Sequence, residues 1–163
     1  MIKNRVFQIG FGGGCHWCTE AVFQALKGVI KVEQGWIASN GENDTFSEAV
    51  IVHFNLEITI KTLIEVHLYT HKSTSNHSMR EKYRSAIYTF SEEQLIKSKA
   101  IIANFQGEFE GEIITKVYPF KAFKPSSSQF QNYYLKNPSK PFCKRYINPK
   151  LELIRSDFAH NLN

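Results

Sequence analysis

Apolar and polar positions along the chain divide it into strands and helices in a regular order. Val6 to Phe11 alternates as a strand, and three glycines, Gly12-Gly13-Gly14, follow it. Trp17, Ala21, Val22, Ala25 and Leu26 then recur at helical spacing until Gly28 stops the helix. Val29 to Ser39 reads as a strand, Ser39 to Asp44 as a polar loop or hairpin, and Glu48 to Phe54 as a strand apolar enough to lie inside a sheet. Ile60, Leu63, Ile64 and Leu68 mark a helix over Thr59 to Tyr69, with Thr59 as its N-cap. Thr70 to Lys82 shows no period and reads as a loop, and Arg84 to Phe90 returns to strand. Ser91, with Gln94 at the capping-box position, opens a helix to about Phe105, and Ile113 to Tyr118 is the last clear strand. Four of the five prolines follow Pro119, so this end is expected to wrap the surface as loops and short turns. The charged stretch after Leu151 predicts a short solvated helix or a frayed end.

The order β-α-β-β-α-β-α-β predicts an α/β (α+β) fold. It is expected to be a single-domain two-layer sandwich, a mixed sheet with helices mainly on one face. A ferredoxin-like core over about residues 4–120 would carry a long loop-rich C-terminal tail over about residues 121–163. A chain of 163 residues is long enough for one domain with a real core. No apolar run approaches a membrane span, and Met1-Ile2-Lys3-Asn4-Arg5 lacks the apolar region of a signal peptide. The expectation is a soluble, cytoplasmic protein without a membrane partner. The net charge of +5 comes from scattered basic residues, which suits a solvated surface better than a nucleic-acid site. Nothing in the pattern demands more than a monomer.

The three cysteines, Cys15, Cys18 and Cys143, are too few for a disulfide framework; redox chemistry, metal binding or inert burial are the choices. Cys15 falls at or just inside a helix N-terminus, behind glycines that bring no side chains. Unpaired N–H groups and the positive dipole end there favour a thiolate. A plainer reading makes Cys15 and Cys18 buried packing residues on a tight turn. A phosphate loop is a poor match, because the third glycine of the dinucleotide fingerprint and the Lys-Ser/Thr of a P-loop are both missing. Glu48 opens an apolar strand, where burial raises a carboxyl pKa and makes a proton donor; an exposed strand-start glutamate is the plainer alternative. Tyr83, at a loop-to-strand junction, suits a hydrogen-bond donor or a half-buried packing residue. Cys18 lies three residues after Cys15 on the same helix face, as a resolving thiol or a packing residue. His67 and His71 are four apart on one helix face, and with Cys15 and Cys18 they would complete a Cys2His2 zinc site, a weaker alternative. Cys143, in Pro141-Phe142-Cys143, reads as a thiol in a mobile tail, free to meet another thiol or merely exposed.

Gly14-Cys15-His16-Trp17-Cys18 with Glu20-Ala21-Val22-Phe23 resembles the signature of the A-type peptide methionine sulfoxide reductases. Three further segments match in order: Glu48-Ala49-Val50, Tyr83-Arg84-Ser85-Ala86-Ile87-Tyr88, and Gln131-Asn132-Tyr133-Tyr134. Pro141-Phe142-Cys143 and Asn148-Pro149-Lys150-Leu151 resemble a tail seen in many members. The resemblance runs from about residue 5 to 151. It implies reduction of the S epimer of methionine sulfoxide in proteins and peptides, and often as the free amino acid. By it, Cys15 attacks the sulfoxide sulfur, Glu48 protonates the oxygen and Tyr83 hydrogen-bonds it. Trp17 forms part of the methyl pocket, Cys143 is the resolving thiol, and thioredoxin is the reductant, with no other cofactor.

The chain departs from that pattern in several places. His16 stands where the family usually has Phe, making one pocket wall more polar. The loop Ser39 to Phe46 is short and lacks the family's second oxygen-binding tyrosine; Phe46 has no hydroxyl. Ser78 falls at the family's substrate-binding Asp. Ser127, Ser128 and Phe130 occupy its late acidic and histidine positions. A Cys15/Cys18 thiol–disulfide oxidoreductase and a methionine-sulfoxide-binding relative without efficient turnover are the competing readings.

Overall fold

The computed structural model describes residues 5–162, the side chains of Ser78 and Glu81 excepted. The reading of Met1 to Asn4 and the substrate-binding role expected of the Ser78 side chain therefore lie outside the described residues. Six strands form one mixed sheet: β1 (Phe7–Gly12), β2 (Val29–Ala38), β3 (Ser47–Phe54), β4 (Ala86–Thr89), β5 (Lys116–Pro119) and β6 (Ala122–Pro125). Their order across the sheet is β5-β4-β1-β3-β2-β6. The inner four, β4-β1-β3-β2, are antiparallel and follow the expected ferredoxin-like order. β5 pairs parallel with β4 after a helical crossover, which makes the sheet mixed.

Period-two alternation decides which face each strand buries. Ile9 and Phe11 of β1, with Val50 and Val52 of β3, pack beneath the helices in the main core. Ala49 and Ile51 point the other way, into a smaller cluster with Ile37, Ala86 and Tyr88. Tyr118 of β5, Phe123 of β6 and Phe120 between them cover that second face in part. Helices α1 (His16–Gln24), α2 (Ile60–Thr70) and α3 (Glu92–Phe105) lie over the main core. Thr59 and Ser91 cap α2 and α3 by accepting the N–H of Thr62 and Gln94, as their sequence positions predict. Among the described residues no helix is long and apolar enough to cross a membrane.

The end of the chain is more ordered than its prolines suggest. Ala122–Pro125 forms β6, antiparallel to β2. The short helix α4 (Tyr133–Lys136) follows, then a π-helical turn, Cys143–Ile147, that runs into α5 (Asn148–Asp157). Cys143, Ile147, Leu151, Ile154 and Phe158 are all buried in the main core. That apolar stripe at helical spacing outweighs the proline signal, and the short helix that the charges allowed forms with one face buried. Pro149 falls in the first turn of α5, where its missing N–H costs nothing.

β6 can approach β2 only because residue 35 is glycine: a Cβ there would stand 2.1 Å from the Lys124 carbonyl oxygen and 2.9 Å from Pro125 Cα. Gly35→Ala is expected to unpair this edge and to lower the urea midpoint by about 2 kcal/mol of stability, as steric overlap against backbone commonly does.

Candidate active site

The site is built where β1 turns into α1. Gly12 is wedged between two backbones; an added Cβ would meet the Arg84 carbonyl at 2.9 Å and that of Glu48 at 3.1 Å. Gly13 has φ +146°, and a Cβ there would run into the His71 ring at 2.5 Å. Gly14 has open space around it, so only the first two glycines are demanded by packing. Arg80 straps the turn from outside: its guanidinium donates to the carbonyls of Gly13 and Tyr83, at 2.8 and 2.9 Å.

Cys15 is the N-cap of α1 and is half-buried. Its thiol pKa lies below the ordinary value, chiefly because the Cys18 thiol donates a hydrogen bond to it. Burial opposes this, and the backbone N–H groups of Trp17 and Cys18 add to it, as expected at a helix N-terminus. Cys18 is buried, and its own proton is held tightly by that same bond to Cys15. The pair is therefore asymmetric: one sulfur is poised as the thiolate, the other as the proton-bearing thiol.

Glu48 reaches the site from the start of β3 and is only 8% exposed. Its Oε1 accepts the His16 backbone N–H at 3.2 Å and lies 3.7 Å from the His16 Nε2. Its Oε2 lies 3.7 Å from Lys82 Nζ. The glutamate is thus buried at the site rather than exposed at a strand end. The Lys82 carbonyl accepts from Ser47 Oγ and from the Glu48 backbone N–H, which ties the segment carrying Tyr83 to the glutamate strand. Lys82 Nζ sits 5.1 Å from the Tyr83 ring centroid and pairs with that phenol, so the ammonium stands between Glu48 and Tyr83. Lys82 carried no signal in the sequence, because a single exposed lysine before a strand is commonplace.

His16 is 6% exposed. Its Nδ1 donates to the Gly35 carbonyl at 2.7 Å, and its ring meets the edge of Trp36 at 5.1 Å. Burial lowers its pKa, against the opposing pull of the Gly35 carbonyl and Glu48.

Trp17 is the next residue, its ring 6.5 Å from that of His16. It stacks on Tyr133 at 4.1 Å and on Phe130 at 5.4 Å, with Phe142 edge-on at 5.3 Å. The tail is held there by Glu20, a fully buried residue of α1. Glu20 accepts the backbone N–H groups of Asn132 and Tyr133 and the Gln34 amide, at 2.9 to 3.1 Å. Its place three residues after Trp17 on one helix face was the available signal.

Cys143 is fully buried in its helical turn, which corrects the expectation of an exposed thiol on a mobile tail. The turn packs on α1, near enough for Cys143 to bear on the electrostatics of Cys18. Cys15, Cys18, His67 and His71 all border one small cavity of about 20 Å³, but His67 Nε2 and both ring nitrogens of His71 are engaged elsewhere. His67 Nε2 donates to the Gly12 carbonyl, His71 bonds the His67 carbonyl and Ser85, and the two rings stack at 4.1 Å. Among the described residues no cluster of three metal-ligating side chains is present. The two histidines instead pack under the glycine turn as neutral rings; burial takes the His67 pKa down to about 3. Phe46 is 48% exposed on the short loop and brings no hydroxyl to the site.

Two measurements follow from this geometry. Cys18→Ala removes the main hydrogen bond to Cys15, so the pH profile of Cys15 alkylation is expected to move to higher pH, with slower labelling at neutral pH. Glu20→Gln places an amide N–H2 where a carboxylate oxygen now meets a buried N–H; by the cost of one orphaned buried donor, a loss of about 2 kcal/mol is expected in urea unfolding.

The fold and site can be set beside known proteins. The family model described as peptide methionine sulfoxide reductase matches residues 7–162. A relative from Acinetobacter baumannii (strain AYE), named peptide methionine sulfoxide reductase MsrA, is 34% identical over 165 residues, covering 92% of this chain and 95% of its own. Methionine sulfoxide reductase A of Corynebacterium diphtheriae shares the fold with a TM-score of 0.72 at 22% identity, over 86% of this chain and 80% of that one. Mxr1 from Saccharomyces cerevisiae in complex with Trx2 does so with a TM-score of 0.60 at 22% identity, over 78% and 85%. The chain belongs to the peptide methionine sulfoxide reductase family.

Proposed function

We propose that this member of the family reduces the S epimer of methionine sulfoxide in oxidised proteins and peptides, and as the free amino acid, with Cys15 as nucleophile. One observation carries the reading: a thiol held toward its thiolate at the start of α1, with a buried carboxyl bonded to the next residue's backbone and a phenol linked to that carboxyl through Lys82. The Cys15 thiolate attacks the sulfoxide sulfur. Glu48 gives a proton to the oxygen and Tyr83 donates a hydrogen bond to it, which stabilises the negative charge that develops there. Trp17 and His16 wall the pocket for the methyl group. The hydroxyl passes to Cys15, methionine leaves reduced by two electrons, and Cys15 remains as the sulfenic acid.

Cys18, whose thiol is hydrogen-bonded to Cys15, is the first thiol within reach of that sulfenic acid. Its attack forms the Cys15–Cys18 disulfide and releases water. A second reading keeps Cys143 as the resolving thiol, and its packing against α1 beside Cys18 favours it. Thioredoxin then reduces the disulfide by thiol exchange. The solved complex of Mxr1 with Trx2 is the support for this partner. Two thiols carry both electrons, so no further cofactor is required. The reading extends to a cytoplasmic monomer acting without membrane or nucleic-acid partners.

The test is turnover of peptides carrying each epimer, with thioredoxin and its reductase. S-epimer turnover is expected, lost with Cys15→Ser. Cys18→Ser is expected to yield one equivalent of methionine and then stop; if Cys143→Ser does so instead, the tail thiol is the resolver. Binding of the sulfoxide without turnover of either epimer would overturn the reductase reading for a binding-only relative.

A further inference from the structure

His16 is not needed by the mechanism above beyond its place in the pocket wall, yet it is buried against the group that mechanism uses as its acid. The Gly35 carbonyl is an acceptor only, so at 2.7 Å the Nδ1 of His16 must carry a hydrogen. In the neutral ring Nε2 is then a bare lone pair. It faces Glu48 Oε1 at 3.7 Å, with both side chains at most a tenth exposed. A carboxylate oxygen and a ring lone pair repel across such a gap. One proton between them turns that repulsion into attraction, whether it sits on the carboxyl or on the imidazole.

The other groups that face this pair are few. Lys82 Nζ bears on Oε2 at 3.7 Å, and the His16 backbone N–H bears on Oε1 at 3.2 Å. Cys15 feels the charge of Glu48, and the Trp36 ring lies 5.1 Å from that of His16, nearly perpendicular to it. Lys82 is exposed and joins the pair to water.

We propose that His16 and Glu48 act as one proton-sharing pair, with His16 the positioning residue that holds the proton Glu48 delivers to the sulfoxide oxygen. The inference rests on the reductase reading. The step balances. The pair loses one proton to the oxygen, Cys15 forms a bond to the substrate sulfur, and the S–O bond breaks as the hydroxyl moves to Cys15. The sulfoxide sulfur is reduced by the two electrons that Cys15 gives up. The pair recovers its proton from water, where Cys15 released its own on becoming a thiolate.

Two readouts test this. In nitrogen-detected NMR of the imidazole, Glu48→Gln is expected to move the His16 titration down by about one pH unit, the effect of losing a close opposite charge. An unmoved titration overturns the pair. In S-epimer turnover, His16→Phe is expected to lower kcat/KM about tenfold, at the low end of a general acid–base contribution, and to have no further effect in Glu48→Gln. Equal factors in both backgrounds overturn the proposal. His16→Gln still offers an amide N–H to Gly35 but holds no proton, so it should lose as much as His16→Phe. Wild-type rates in His16→Gln would make the ring mere packing. Circular dichroism and urea midpoints establish that each variant is folded. If wild type turns over neither epimer, the reductase reading fails, and the NMR titration still decides the pair.

Discussion

Close approach of backbone at Gly12 and Gly13 is the constraint on which the site depends. Three segments distant in sequence, the end of β1, the start of β3 and the irregular stretch before β4, press together there with no room for a side chain. That contact sets the depth at which α1 begins and puts Cys15 at its N-cap. It also brings Glu48 within reach of the His16 backbone and side chain. His67, buried, and His71, half-buried, serve the same packing, since the His71 ring fills the space a Gly13 side chain would need and His67 bonds the Gly12 carbonyl. Their burial keeps them neutral, so two rings stack under the thiols without placing a charge there.

Above this foundation the chemistry is divided by hydrogen bonds. A single S–H bond from Cys18 makes Cys15 the better nucleophile and leaves Cys18 with the proton. Lys150, on the tail helix, donates to the Thr70 carbonyl and borders a cavity of about 20 Å³ beneath the two sulfurs. Burial lowers its pKa, while the cysteines oppose that shift. The tail is thus part of the site's electrostatics as well as its cover. Glu20 secures it there by satisfying three donors at once, which keeps Tyr133 against Trp17.

The inner sheet was legible because its strands alternate cleanly and its helices carry caps at the expected places. The tail was harder. Prolines 138, 141 and 149 point to loops and the charges after Leu151 to a short solvated helix or a frayed end, whereas the stripe from Cys143 to Phe158 points to a buried helix. Burial of that stripe outweighs the propensities, as tertiary packing often does. β6 was invisible for a different reason: an edge strand of four residues is made by its partner, here by a glycine on β2 that lets it in.

Cys15, Glu48 and Tyr83 stand out in the sequence as candidates by local pattern, a thiol behind glycines, a carboxylate opening an apolar strand and a phenol at a junction, while Trp17 is singled out by the family resemblance. Sequence by itself determined the order of elements, the four-strand core and the placing of Cys15 at a helix start, since each follows from near-neighbour periodicity and capping. Only the tertiary structure decided that Cys143 is buried, that His67 and His71 bond the carbonyls of Gly12 and His67, and that His16, Lys82 and Glu48 meet. Those outcomes turn on which surfaces press together across the fold, and distances between residues far apart in sequence are set by packing alone.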